Sequence, residues 1–146
     1  DWSSDVCSSD LEMFANALMM LGAKRAFVVH GHDGLDEISV CDTTRVSELR
    51  DGMVKTYDIY PQSYFGELAL LEDIAGGDPG LNADIVTDIF NGKKGPMRNV
   101  VLINAAAALT ACGKAEDIKS GIELAEQVID AGKAKEKLQS LVEFAV

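Results

Sequence analysis

Apolar residues recur at three- and four-residue steps over residues 12–21, at Met13, Phe14, Ala17, Leu18 and Leu21, and Gly22 follows as a stop. That spacing predicts an amphipathic helix. Ala26-Phe27-Val28-Val29 is then a β-branched and aromatic run, so the helix feeds a strand over 26–30. Two more extended segments are expected over 38–46 and 53–60, separated by the polar turn Ser47-Glu48-Leu49-Arg50-Asp51-Gly52. Residues 61–66 read as irregular, and 67–74 as a short apolar helix closed by Gly76-Gly77.

The second half reads as helical almost throughout: from Asn82 or Ala83 to 90, then 96–112, 115–131 and 134–144. Glycines at 92, 95, 113 and 132 punctuate it. Val100-Val101-Leu102-Ile103 followed by Asn104-Ala105-Ala106-Ala107-Ala108-Leu109 is apolar nearly all round, which predicts a central, buried helix. Its alanines would let neighbouring elements approach closely. Strands followed by a helical cluster predict an α/β or α+β domain, with a small antiparallel or mixed sheet packed against helices. No repeat of solenoid length is present.

Residues 1–11 twice contain Ser-Ser-Asp and show neither helical nor strand periodicity. They are expected to lie outside the fold, as a solvated or non-native leader; they resemble translated sequencing-adapter read-through. If the leader is foreign, the remainder is a fragment. With 146 residues, 47% hydrophobic and 25% charged, the chain suffices for one domain with a real core. Its net charge of −11, of which the three acids of residues 1–11 supply −3, argues against a surface for nucleic-acid phosphates. An anionic substrate would need local help from a metal or from backbone N–H groups. No apolar run approaches the ~18 residues of a membrane span, and no secretory leader is seen, so a cytoplasmic protein without membrane contact is expected. Cys7, Cys41 and Cys112 lack metal-type spacing and read as reduced thiols.

The chemistry concentrates at His30-Gly31-His32-Asp33-Gly34-Leu35-Asp36-Glu37-Ile38-Ser39. Here a strand runs into a turn where Gly31 and Gly34 let the backbone expose two adjacent carboxylates. Asp36 and Glu37 are hard oxygen ligands suited to Mg²⁺, which takes one or two carboxylates and completes its octahedron with water and phosphate oxygens. Spacing alone leaves open that they are two solvated loop acids. His30 and His32 could ligate zinc, but no third nitrogen or sulfur ligand lies at a telling spacing. Gly76-Gly77-Asp78 reads as a turn and helix cap rather than a phosphate cradle, because no P-loop Lys or Ser/Thr follows. Gly92-Lys93-Lys94-Gly95-Pro96-Met97-Arg98 is a cationic knot that could meet phosphate, though a solvated turn before a proline-initiated helix is the better reading.

Leu21-Gly22-Ala23-Lys24-Arg25-Ala26-Phe27-Val28-Val29-His30-Gly31, followed by Asp33-Gly34-Leu35-Asp36-Glu37, resembles the later half of the anthranilate phosphoribosyltransferases. Gly76-Gly77-Asp78, Gly95-Pro96-x-Arg98, Val101-Leu102-x-Asn104-Ala105-Ala106 and Ile129-Asp130-x-Gly132 agree in order, so the resemblance covers about residues 12–146. Asn99 stands where many relatives carry Asp, and Gln62-Ser63-Tyr64 departs from the usual acidic pair before Phe65-Gly66.

The resemblance implies the C-terminal part of the α/β domain shared by nucleoside phosphorylases and phosphoribosyltransferases (glycosyltransferase family 3), a small mixed sheet packed with helices, with the N-terminal helical domain missing. It implies transfer of phosphoribosyl from phosphoribosyl pyrophosphate to anthranilate, in tryptophan biosynthesis, with Mg²⁺ on the pyrophosphate. Only Asp36 and Glu37 carry over as functional positions, as the Mg²⁺-binding acids; no catalytic residue is assigned. The family's homodimer contact lies in the missing domain. A pyrimidine nucleoside phosphorylase-like enzyme, or a non-catalytic nucleic-acid-binding relative, are the alternatives. The family's Gly-Thr-Gly-Gly-Asp phosphate loop, Lys-His-Gly-Asn segment and anthranilate-contacting arginine motif do not occur in this sequence. The chain as printed is therefore expected to show no turnover with anthranilate, phosphoribosyl pyrophosphate and Mg²⁺. A steady-state assay matching the rate of a full-length enzyme would overturn that expectation.

Overall fold

The computed structural model describes residues 8–144. Its elements run α1 (Ser8–Met20), β1 (Arg25–Gly31), β2 (Thr44–Arg50), β3 (Met53–Ile59), α2 (Gln62–Phe65), a 3₁₀ turn (Leu71–Ile74), α3 (Pro79–Phe90), α4 (Pro96–Ala111), α5 (Ile118–Asp130) and α6 (Lys133–Phe144). The strands form one sheet in the order β1-β2-β3, and both pairings are antiparallel, so the expected small sheet contains no parallel pair.

Strand alternation divides the sheet into two faces. Phe27, Val29, Val46, Tyr57 and Ile59 face the main core, where Ile38, Val40 and the α4 residues Ile103, Ala106 and Ala107 meet them. Leu49, buried on β2, points the other way, towards α1, which lies across all three strands. A second cluster joins α3, α4 and α5 through Ile89, Leu102, Ala125 and Ile129.

Three expectations change. First, α1 begins at Ser8 rather than Glu12 and buries Leu11 and Ala15, so the supposed leader contributes to the fold from residue 8; residues 1–7, with Cys7, lie outside the described residues. The face expected to be buried is turned outward, with Met13 61%, Phe14 60% and Leu21 84% exposed. Second, the strand expected over 38–46 lies at Thr44–Arg50, and the expected six-residue turn is only Asp51-Gly52. Both turn residues have positive φ, 52° and 76°, as a two-residue hairpin of matching twist requires. The polar residues there behave as strand residues because the partner strand satisfies them: the Ser47 and Thr56 hydroxyls bond at 2.8 Å, and Tyr57 donates to Glu48 at 2.8 Å. Third, residues 67–74 form only the 3₁₀ turn, while 62–65, expected to be irregular, form α2.

The helical half matches its expected order, with shifted ends. Pro79 opens α3, and the Asp78 carboxylate accepts from Gly80 and Leu81, which makes Gly76-Gly77-Asp78 a turn and cap. α4 is central, but Val101 and Ala108 open onto an apolar surface groove, so the helix is buried on one side rather than all round. α4 and α5 cross closely because Gly121 sits against Ala106. A Cβ at residue 121 would lie 2.8 Å from the Ala106 Cβ and 2.9 Å from its carbonyl oxygen.

Gly121→Ala sets about 1 kcal/mol of helix propensity against an overpacking cost of about 1–3 kcal/mol. The clash is with backbone, which cannot step aside, so the cost wins. The urea midpoint is expected to fall; an unchanged or higher midpoint would show that the helices can separate freely.

Candidate functional site

The site is the connection from β1 to β2, residues 32–43. A loop of this length inside a compact sheet needs its own reason to be ordered. Its ends are tied by His32 N–H donating to Thr43 carbonyl at 2.9 Å. At its start, Gly34 N–H donates to Gly31 carbonyl at 3.0 Å and Gly31 N–H to Leu35 carbonyl at 2.8 Å, closing a tight turn with Gly34 at φ 90°. Gly31 is needed for space: a Cβ there would strike the Asp33 carboxylate and lie 3.2 Å from the Leu35 carbonyl oxygen.

Two side chains then bridge the loop internally. Asp33 accepts from Leu35 N–H at 3.2 Å and from the Ser39 hydroxyl at 2.5 Å; the Ser39 oxygen in turn accepts from Cys41 N–H at 2.9 Å. Ser39 N–H donates to the Thr44 hydroxyl at 2.9 Å, and both residues are fully buried. Ile38 and Val40, 1% and 2% exposed, sink into the main core. Asp36 and Glu37 lie between these anchors. Both are exposed, and among the described residues no hydrogen bond or ion pair holds either carboxylate.

A framed loop carrying two unengaged acids suits a ligand-binding role better than a capping role. Among the described residues, no three His, Cys, Asp or Glu side chains gather to hold a metal by themselves. Asp36 and Glu37 can thus supply one or two ligands, leaving the rest to water or substrate, which is how Mg²⁺ is commonly bound. His30 is half-buried on β1 opposite Arg45, and His32 is exposed in the loop. Burial pushes the Cys41 thiol up, and the negative Asp33 adds to the effect, so this free cysteine stays protonated.

The cationic knot is already neutralised. Lys93 pairs with Asp88 at 2.8 Å, and Lys94 lies 3.6 Å from both Glu126 and Asp130. Arg98 is buried, 1% exposed, and donates to Asp130 at 2.7 Å, while its Nε and Nη1 have no partner among the described residues. Pro96 opens α4, as expected of a turn preceding a proline-initiated helix.

The residues that frame the acids, Asn104 among them, were not singled out from sequence as functional. Asn104 accepts from Ile38 N–H at 3.0 Å and donates to Ile38 carbonyl at 2.9 Å. The signal available was a lone amide inside an otherwise apolar helix, which demands partners.

The glycosyl transferase family, a/b domain, matches residues 6–135. The chain belongs to this glycosyl transferase family. It is 66% identical over 134 residues to the anthranilate phosphoribosyltransferase of Desulfosudis oleivorans, covering 91% of this chain and 40% of the relative. The Syntrophobacter fumaroxidans enzyme of the same name is 60% identical over 133 residues, with the same coverage. The Thermus thermophilus anthranilate phosphoribosyltransferase superposes with a TM-score of 0.81 at 36% identity, covering 92% of this chain and 39% of that one. The Saccharomyces cerevisiae enzyme in complex with phosphoribosyl pyrophosphate and Mg superposes at 0.78 with 26% identity, over 91% and 39%. This member of the glycosyl transferase family thus spans about two fifths of the length of the relatives it matches.

The Arg98 hydrogen bond and charge hold the Asp130 carboxyl below the usual carboxylate range. A depressed folded-state value gives stability that is present above the ordinary range and lost as pH falls through the depressed one. Asp130→Asn, which also strands a buried guanidinium, is expected to lower the urea midpoint at neutral pH. The gap to the parent should narrow in acid, and a gap constant with pH would count against the pair.

Proposed function

We propose that this chain carries the metal-binding side of a phosphoribosyltransferase active site, acting on phosphoribosyl pyrophosphate with anthranilate as acceptor. The observation that carries the reading is the pair of exposed, unengaged carboxylates of Asp36 and Glu37, held on a loop whose every neighbour is bonded or buried. The relatives' names supply the reaction, and the yeast enzyme's complex supplies the substrate and the ion.

The residues fit Mg²⁺. They are hard oxygen donors, in no ion pair with the described residues and too few to enclose an ion, so room remains for phosphate oxygens. Bound there, Mg²⁺ supplies positive charge against the pyrophosphate as the ribose becomes oxocarbenium-like. The chain's own part is to hold two carboxylates at fixed points without the loop collapsing onto them. Its net charge of −11 would otherwise oppose the approach of an anion.

The test is a chimera in which residues 12–146 replace the corresponding part of the Desulfosudis oleivorans relative. Anthranilate-dependent turnover is expected, and Asp36→Asn or Glu37→Gln should each reduce it by about a hundredfold, the usual scale for losing one charge-stabilising group. Neither side chain has a partner among the described residues, so the unfolding free energy from urea titration should stay within about 0.5 kcal/mol of the parent. Undiminished turnover in both variants would sink the assignment.

A further inference from the structure

We propose that Asn104 is a positioning residue for the acid pair, clasping the N–H and the carbonyl of Ile38, the residue after Glu37, so that the two carboxylates are presented together. This rests on reading Asp36 and Glu37 as metal-binding acids.

The amide of Asn104 is fully used. Its Oδ1 accepts from Ile38 N–H at 3.0 Å, and its Nδ2 donates to Ile38 carbonyl at 2.9 Å and to Val100 carbonyl at 2.9 Å. One side chain thus holds both polar groups of one loop residue. The Ile38 N–H shares a rigid plane with the Glu37 carbonyl, so fixing it fixes the rotation about the Glu37 Cα–C bond. Burial of the Ile38 side chain, 1% exposed, fixes the other side of that plane.

Burial alone would keep the loop near the core without setting this rotation. The Asp33 and Ser39 bridge closes the loop on itself, but it does not tie the loop to a helix. Among the described residues, Asn104 is the one side chain that hydrogen-bonds this loop to α4, beside the apolar packing of Ile38 and Val40 against that helix. The amide has one workable orientation, because a flipped one would face an N–H donor with an N–H and two carbonyls with an oxygen. Aspartate fails for the same reason: a carboxylate would face the carbonyls of Ile38 and Val100.

Ligands held in place by surrounding hydrogen bonds bind metal about 10–100-fold better than the same ligands released. The experiment titrates the 146-residue chain with Mn²⁺ alone, as a paramagnetic probe, and follows backbone amide signals by NMR. In the parent, the Asp36 and Glu37 amides should broaden first. In Asn104→Ala, the same broadening should require about tenfold more Mn²⁺, with the β2 and β3 signals unmoved. Asn104→Asp should also need more Mn²⁺, although its added negative charge would by itself attract the ion; this separates positioning from simple electrostatics.

Equal broadening in parent and Asn104→Ala overturns the positioning role and leaves the acid-pair reading standing. No broadening at Asp36 and Glu37 in the parent overturns the acid-pair reading itself. Should neither variant fold, hydrogen exchange in the parent decides: the Ile38 amide should exchange far more slowly than that of Glu37, and equally fast exchange rules the clasp out.

Discussion

A primary amide placed in an apolar core costs free energy until each of its polar groups is met, and meeting them dictates what lies beside it. Asn104 is in that position. Its three hydrogen bonds reach a helical carbonyl and both polar groups of Ile38, a residue 66 positions earlier in the chain. The loop must therefore lie against α4 at one place and in one orientation. α4 is itself seated by the sheet on one side and, on another, by α5, whose Gly121 admits no Cβ against Ala106. The arrangement propagates outward: with Ile38 and Val40 drawn into the core, Asp36 and Glu37 have nowhere to go but the surface.

Charge follows the same division. Lys93 and Lys94 before α4 pair with Asp88, Glu126 and Asp130, and Arg98 within α4 pairs with Asp130 while its Nε and Nη1 find no partner among the described residues. Asp36 and Glu37 have no such match among the described residues. In a chain of net charge −11, an unpaired acid pair held at fixed geometry repels phosphate and attracts a divalent cation. On the proposed reading, a metal is the physically economical way to bring acid pair and phosphate together.

The order of helices and the first strand were legible because each rests on local signals: 3.6-residue periodicity, β-branched runs, glycines and prolines at the ends. The second strand was misplaced because Ser47, Glu48 and Arg50 look like turn residues until their partners across the hairpin are known, although Asp51-Gly52 marked the true turn. The buried face of α1 was misjudged for a related reason. Met13, Phe14 and Leu21 are larger apolar residues than Ala15, yet the sheet takes Leu11 and Ala15 and leaves the larger residues outside. Periodicity identifies an apolar stripe but not which neighbour will cover it. At the site, the acids were visible as residues, while Ser39, Thr44 and Asn104 were not visible as their frame, since a hydrogen bond between distant positions leaves no local trace.

Geometry and activity separate cleanly here. Every hydrogen bond that frames Asp36 and Glu37 is donated and accepted between residues 31 and 104, all within this chain. The loop's shape is thus a property of this domain's own packing. On the proposed reading, catalysis would need further groups, because two carboxylates cannot fill six coordination positions or grip the far side of a pyrophosphate. On the proposed reading, a rigid loop suits this division, since it would let substrate and ion complete the coordination without the loop having to be ordered at the moment of binding.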